Sequence, residues 1–275
     1  MKSCNMKKSV EVIKGSKGKQ MLMDITFPEK SNNKLVIFSH GFKGFKDWGC
    51  FDLLAQNFVE KGFTFLKFNF SHNGTTVSDP LNFTDLEAFG NNNFSKELND
   101  LGFVLDWVEN NLSIYDVSLL GHSRGGGISM LKAGKDKRVT RVISWASPSN
   151  FLNRMPQDRI EIWKEKGVAF VYNGRTKQNM PLYLQFYTDC MENKDKLNIE
   201  KSVSSLKIPH LIIHGDSDPT VDIREAEDLH SWNPNSKFIV FKDADHVFGG
   251  CHPFSENVLP HFLQRAVDDT IDFIQ

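Results

Sequence analysis

At 275 residues, with 40% hydrophobic and 24% charged residues, the chain has the composition of a globular protein able to bury a sizeable core, and not that of a disordered one. Its 33 Lys and Arg against 34 Asp and Glu leave a net charge of -1, so no overall field draws it to nucleic acid or an anionic membrane, and a small, roughly neutral ligand suits it better. The N-terminus MKSCNMKKSVEVIKGSKGK is basic but has no apolar stretch, and no apolar run reaches the ~18 residues a membrane span needs, so a cytoplasmic protein without membrane insertion is expected.

The first two strand-like stretches, VEVIK (10–14) and MLMDITF (21–27), follow each other across the turn-prone GSKGK. They predict an antiparallel hairpin at a sheet edge. Next come LVIFSH (35–40), FTFLKFNF (63–70), VSLLGHS (117–123), VTRVISWAS (139–147), HLIIHGD (210–216) and KFIVFKDA (237–244). These runs are short, near-continuously apolar and β-branched or aromatic, as in strands buried on both faces. Between and after them lie helical patterns: Phe94, Leu98, Leu101, Leu105, Val108 and Leu112 recur every three or four residues, and Leu259, Phe262, Ala266 and Phe273 form a second such set. Alternating strands and helices imply right-handed crossovers and an α/β fold, a mostly parallel twisted sheet of about eight strands flanked by helices. The alternation breaks at about 149–206, where Pro156, Pro181 and charged stretches interrupt a segment containing Trp163, Phe170, Tyr172, Tyr183, Phe186 and Tyr187. With no repeat and no long polar linker, this reads as a small cap inserted into a single domain spanning 1–275.

Gly121-His122-Ser123-Arg124-Gly125 fits G-x-S-x-G, directly after one strand and before the helical GGISMLKAG. A serine held on so sharp a turn projects its hydroxyl above the sheet, and the flanking glycines remove Cβ atoms that would collide there. The plainer alternative is a Gly-rich turn whose serine only caps the helix. A serine hydroxyl needs a base within reach, and imidazole has the suitable pKa. His246, in KDADHVFGG beyond the last strand, is placed to reach the sheet's top edge; His252, before Pro253 in the same loop, is its rival, and His261 lies in the helical pattern. The base needs a carboxylate to fix its tautomer, and HGDSDPTV offers Asp216 and Asp218. All of these follow strand C-terminal ends, where ligand sites form in open parallel sheets. An oxyanion would need preorganised donors: the Arg124 amide at the helix start, and the Phe42 amide in His40-Gly41-Phe42 after LVIFS, with His40 itself a structural residue. Cys4, Cys50, Cys190 and Cys251 are scattered without a C-x-x-C pair, which signals neither zinc site nor disulfide framework. No metal or cofactor is called for.

HGFKGFKDW, GHSRGG, GDSDPTV and DADHVF, in that order and each after a strand, resemble the α/β-hydrolase superfamily over roughly residues 20–275. Within it the chain is similar to small single-domain serine esterases, including bacterial cinnamoyl and feruloyl esterases. The resemblance implies Ser123 as nucleophile, His246 as base, Asp218 as the acid in place of Asp216, and the Phe42 and Arg124 amides as oxyanion donors. It also implies a cap over the acyl pocket, with Tyr183 or Tyr187 touching substrate, and hydrolysis of a small-molecule ester of an aromatic or short acyl group through an acyl-enzyme. Arg124, Lys43 and Lys46 near the mouth would favour an anionic acyl group. A peptidase of the prolyl-oligopeptidase kind is the alternative that keeps the chemistry, and a non-catalytic binding role the one that abandons it; oligomeric state is not legible.

Overall fold

The computed structural model describes residues 6–152 and 160–275, so that Cys4 and Pro156 lie outside the described residues. The chain opens with β1 (Lys7–Lys14) and β2 (Gln20–Phe27), the expected edge hairpin, paired from Lys14↔Gln20 to Lys7↔Phe27. It continues through β3 (Lys34–Ser39), α1 (Phe51–Glu60), β4 (Thr64–Phe68), α2 (Leu86–Gly90), α3 (Phe94–Asn111), β5 (Asp116–His122), α4 (Arg124–Ala133) and β6 (Val139–Trp145). Between β6 and the next sheet strand come α5 (Ile160–Lys166), β7 (Val168–Asn173), β8 (Gln178–Tyr183), α6 (Gln185–Glu192) and α7 (Ile199–Ser204). The chain ends with β9 (His210–Gly215), α8 (Ile223–Trp232), β10 (Lys237–Phe241) and α9 (His261–Ile274). Eight strands form one sheet in the order β1-β2-β4-β3-β5-β6-β9-β10, antiparallel at β1 and β2 and parallel from β4 onward.

Every residue of β9, and all but the first or last of β3 and β5, is buried, because helices cover both faces. One face packs Ile37, Leu66 and Leu119 against α3, α4 and α8 through Leu101, Val104, Ile128 and Leu229. The other packs Val36, Phe65, Leu120 and Ile213 against α1 and α9 through Leu54, Phe58, Leu263, Val267 and Ile271. Each such side chain adds about 1.5–3 kcal/mol on leaving water. α3 starts where Asn93 accepts from the Lys96 amide at 2.9 Å, satisfying one of the amides a helix start leaves open. The buried stripe of α9 is Leu263, Ala266, Val267, Thr270, Ile271 and Ile274, centred later than the Phe262 and Phe273 stripe the sequence suggests. Thr270 joins it because its hydroxyl accepts from the Trp145 indole at 3.1 Å.

The segment between β6 and β9 holds a separate antiparallel hairpin, β7–β8, which periodicity did not expose. Pro181 reads as a breaker, yet it sits in β8 opposite Phe170; in a two-stranded sheet both strands are edges, where a missing N–H is tolerated. The last helix of this segment, α7, lies on the main body: a Cβ at Gly134, just after α4, would stand 3.1 Å from the Ser202 hydroxyl. Among the described residues no helix is long and apolar enough to cross a membrane.

A charged cluster lies beneath the hairpin edge, with Asp24, Lys46 and Lys67 buried and Lys8 and Asp52 exposed. Lys46 reaches Asp24 at 2.8 Å and Asp47 at 2.5 Å; Lys67 reaches Asp47 closely, Asp52 at 2.5 Å and Asp24 at 3.7 Å; Lys8 closes on Asp24 at 3.0 Å. Three ammonium groups thus stand among three carboxylates. Burial alone would raise the carboxyl pKa values, but the lysine partners outweigh it and hold Asp24, Asp47 and Asp52 below their usual range. Lys67 is 1% exposed, so Lys67→Met should leave an unbalanced buried negative charge and cost about 3–5 kcal/mol, read as a lower urea midpoint. An unchanged midpoint would show that the cluster contributes nothing to stability.

His40, His72 and His210 are likewise buried. Burial pushes their pKa values down to about 4, about 4 and about 3, so they stay neutral in the fold. In the unfolded chain they protonate near pH 6.5, so the unfolded state binds more protons as pH falls from there toward 4. Stability should therefore decline over that window, by up to about 1.4 kcal/mol per pH unit for each histidine. Buried Glu97 and Asp100, whose carboxyls are pushed up by burial, act in the opposite sense and blunt the decline at its acid end. Urea midpoints that stay flat from neutral pH down to about 5 would contradict this.

Candidate active site

The turn from β5 into α4 is tight, with α4 beginning at Arg124, two residues after β5 ends. Ser123 there has φ 55° and ψ −125°, a left-handed conformation that costs a non-glycine residue about 1–3 kcal/mol. Its amide donates to the Trp145 carbonyl at 2.8 Å, tying the turn to the neighbouring strand. Two glycines make the turn possible. A Cβ at Gly121 would stand 2.3 Å from the Gly125 carbonyl oxygen, and one at Gly125 would stand 2.1 Å from that of Ser39. The Ser123 hydroxyl caps no amide of α4, which removes the plainer alternative of a capping serine.

Across the gap lies the end of β3. A Cβ on Gly41 would come within 3.1 Å of Ser123 Cβ, so the 40–42 turn is packed directly against the candidate nucleophile. His40 holds the turn: its Nδ1 donates to the Gly41 carbonyl at 2.9 Å, and its Nε2 accepts from the Phe70 amide at 3.4 Å. The Phe42 amide makes no hydrogen bond among the described residues. Arg124 is the first residue of α4, so its amide belongs to the helix-start set that points outward with partial positive charge.

After β9 and β10 come the acid and the imidazole. The Asp218 side chain is fully buried, and its Oδ2 accepts from His246 Nδ1 at 2.7 Å. Its Oδ1 accepts from the amides of Thr220 and Val221 at 2.7 and 2.9 Å. Asp216, the other sequence candidate, is engaged elsewhere, accepting from the Asp243 amide at 2.6 Å. His252, the rival histidine, accepts from the Gly49 amide at 2.8 Å and stacks beside Trp48, so it joins two loops instead of facing Asp218. Burial pushes the Asp218 pKa up, but hydrogen bonds from His214 and His246 outweigh it and hold the carboxyl well below the usual range. Ser123 Oγ and His246 are not hydrogen-bonded to each other; such contacts often tighten only around a bound substrate.

Two histidines complete this arrangement that the sequence reading passed over. His122, beside Ser123, donates from Nε2 to the His246 carbonyl at 2.8 Å, and the two rings lie 4.9 Å apart. Burial and the neighbouring His246 push its pKa down to about 3, so it remains a neutral donor. His214, four residues before Asp218, donates from Nε2 to the Val221 carbonyl at 2.9 Å with Asp218 Oδ2 at 3.4 Å. Both stood inside quoted motifs, GHSRGG and HLIIHGD; the signal available was proximity to the candidate residues, which does not say what a side chain touches.

Beside Ser123 the Arg124 guanidinium lies 3.9 Å from the Phe42 ring centroid, 4.9 Å from that of Phe94 and 5.5 Å from that of Phe186. It pairs with buried Glu97 at 3.3 Å, and Glu97 also accepts from Asn92 at 2.7 Å. Its charge is therefore already countered, while Lys46 is locked in the buried cluster and absent from the mouth. Tyr183 donates its hydroxyl to Glu87 at 2.5 Å and lays its ring on Gly90. Tyr187 packs beside Trp163, with Lys164 over its ring.

A family model described as the alpha/beta hydrolase fold matches residues 172–250, a stretch that includes Asp218 and His246. No curated protein matches the sequence. Among solved structures the chain is similar to Est1E from Butyrivibrio proteoclasticus with ferulic acid bound, at 18% identity and TM-score 0.73, over 96% of this chain and 97% of that one. It is also similar to the esterase Pf2001 of Pyrococcus furiosus, at 16% identity and TM-score 0.65 over 99% and 93%. The esterase domain of a Rhodothermus marinus protein matches at 18% identity and TM-score 0.62, over 89% and 91%. The parallel sheet, the strained serine turn and these likenesses together identify the chain as one with the α/β-hydrolase fold.

Proposed function

We propose that this chain is a serine hydrolase that cleaves carboxylic esters through an acyl-enzyme. The observation that carries the reading is a serine in strained backbone at the sheet's C-terminal edge, whose neighbour His122 bonds the His246 carbonyl, with the His246 Nδ1 bound to a buried, ionised carboxylate. With Nδ1–H donated to Asp218, the proton-accepting nitrogen of His246 is Nε2. In this reading Nε2 takes the Ser123 proton as Oγ attacks the ester carbonyl, and Asp218 stabilises the imidazolium that results. The Phe42 and Arg124 amides receive the oxyanion, an arrangement in which each donor is worth about 3–4 kcal/mol in the transition state. The imidazolium then protonates the departing alcohol, and water, deprotonated by the same nitrogen, releases the acid.

The acyl group is read from the aromatic lining. Phe42, Phe94 and Phe186 gather around Arg124 immediately after the nucleophile, and the Arg124 charge is spent on Glu97. Apolar and aromatic acyl groups, cinnamoyl and feruloyl among them, suit the half-buried Phe42 ring, behind which Phe94 and Phe186 are buried, and likeness to a structure holding ferulic acid supports the same class. Tyr183 and Tyr187, the aromatic contacts expected from the sequence, are half-buried beside Glu87 and Trp163 and keep that proposed role beside Phe42.

The test is turnover of p-nitrophenyl butyrate beside a cinnamoyl ester and an aminoacyl amide. A burst of p-nitrophenol is expected, with Ser123→Ala lowering kcat by at least ~10³ and Asp218→Asn lowering it by a comparable factor. Equal turnover by Ser123→Ala and the unaltered chain would remove the nucleophile, and preference for the amide would move the reading to a peptidase.

A further inference from the structure

The cations around the candidate site divide into those with a carboxylate partner and those without. Arg124 has Glu97 at 3.3 Å, and Lys46 has Asp24 and Asp47 at 2.8 and 2.5 Å. Lys43 and Arg175 differ: among the described residues neither has a carboxylate within salt-bridge distance.

Lys43 follows Phe42 in the turn packed against Ser123 and is itself held at φ 57°, a left-handed conformation unusual for a lysine. Its ammonium group donates to the Tyr172 carbonyl of the cap hairpin at 3.3 Å and stands 5.8 Å from the Phe42 ring centroid. Arg175 lies in the turn joining β7 to β8 and spreads its guanidinium over Phe45 and Phe83, at 5.4 and 5.5 Å. A row of rings joins the two cations: Phe42 lies 5.5 Å from Phe89, Phe89 6.1 Å from Phe83, and Phe83 5.9 Å from Phe45. Phe45 in turn touches His252, at 5.1 Å, on the loop that carries His246. The two cations therefore stand over one row of rings between the Ser123 turn and the His246 loop, of which Phe45, Phe83 and Phe89 are buried and Phe42 is half-buried.

Half-burying a cation without an anion costs free energy, and half-buried Lys43 shows that cost as a pKa lowered by burial; Arg175 is exposed and lies over two rings, its pKa also lowered by burial. Cation–π contact offsets part of it, with about 0.5–2 kcal/mol per contact as the usual range. Full compensation needs an anion, and the charged groups of the site proper are already engaged with one another. We propose that Lys43 and Arg175 form an anion-binding rim, so that the preferred substrates are esters whose non-reacting end carries a carboxylate. This rests on the ester-hydrolase reading above and narrows its substrate class. The half-buried Phe42 ring would meet the apolar middle of such a molecule, and the rim its charged end.

The experiment compares kcat/KM for p-nitrophenyl butyrate with that for the mono-p-nitrophenyl esters of succinic, glutaric and adipic acids. A further arm uses 4-butyryloxybenzoate against phenyl butyrate, which puts the carboxylate on the alcohol side. In at least one arm the anionic ester is expected to be favoured about tenfold at low ionic strength, with the advantage shrinking toward unity at about 0.5 M salt. The anionic-to-neutral ratio should fall about fivefold or more in Lys43→Met and in Arg175→Met, and recover in Lys43→Arg, which keeps the charge. Being a ratio within one protein sample, it is insensitive to partial misfolding. Neutral esters turned over as well as or better than anionic ones in every arm would overturn the rim and leave the hydrolase reading standing, as would a ratio unmoved by both methionine variants. Failure to turn over any of the esters would remove both.

Discussion

Everything at the candidate site is referenced to one backbone constraint, the turn between β5 and α4 that forces Ser123 to φ 55° and ψ −125°. The strain of about 1–3 kcal/mol is held in place because the chain on either side cannot relax. β5 is hydrogen-bonded between β3 and β6, the Ser123 amide is bound to Trp145, and Gly125 is pressed on the Ser39 carbonyl. Packing of Ile128, Met130 and Leu131 into the core fixes the helix that leaves the turn. A serine held this way does not choose its rotamer environment; the sheet chooses it.

The second wall of the site is a loop, and loops are positioned by polar contacts more than by core packing. The β3–α1 loop, which carries Phe42, is gripped at three places. The Lys46 amide donates to Asn69 at 2.6 Å, its ammonium group enters the buried cluster with Asp24, and the Gly49 amide donates to His252 at 2.8 Å. The first two grips belong to β2 and β4 or their ends, and the third to the loop that follows His246. Buried ion pairs contribute little net stability against an apolar alternative, but they accept only one geometry. The cluster beneath the hairpin edge thus acts chiefly to set where residues 41–43 stand relative to Ser123.

The sheet was legible because it is buried on both faces. LVIFSH, VSLLGHS and HLIIHGD have no polar alternation to confuse with a helix, and they became β3, β5 and β9 within one or two residues. The residues brought together at its edge were legible for a related reason: strand C-terminal ends converge there, so order along the chain maps onto nearness in space. What stayed hidden depends on side-chain contact. The exposed alternation of β7 gave too weak a signal beside Pro181, and Lys46 looked like a surface cation because its buried partner Asp24 lies on a distant strand. His252 and His246 share one loop and one residue type, and only the partner each finds, a glycine amide or a buried carboxylate, separates them.

That separation has a further physical consequence. His246 is anchored twice, through Nδ1 to Asp218 and through its own carbonyl to His122. The first contact fixes the ring's tautomer, and the second fixes the backbone from which the ring projects. Asp218 is fixed in turn by two amides on Oδ1, with His214 near Oδ2, so the carboxylate cannot rotate to follow a moving imidazole. His122 donates from Nε2 in either protonation state, and its pKa of about 3 keeps it neutral, so that in the proposed reaction it sets no second positive charge beside the imidazolium forming on His246. If His246 serves as the proposed base, an imidazole restrained at ring and backbone, with only Nε2 left for exchange, would have its reorganisation done in advance, which is where a preorganised site gains most.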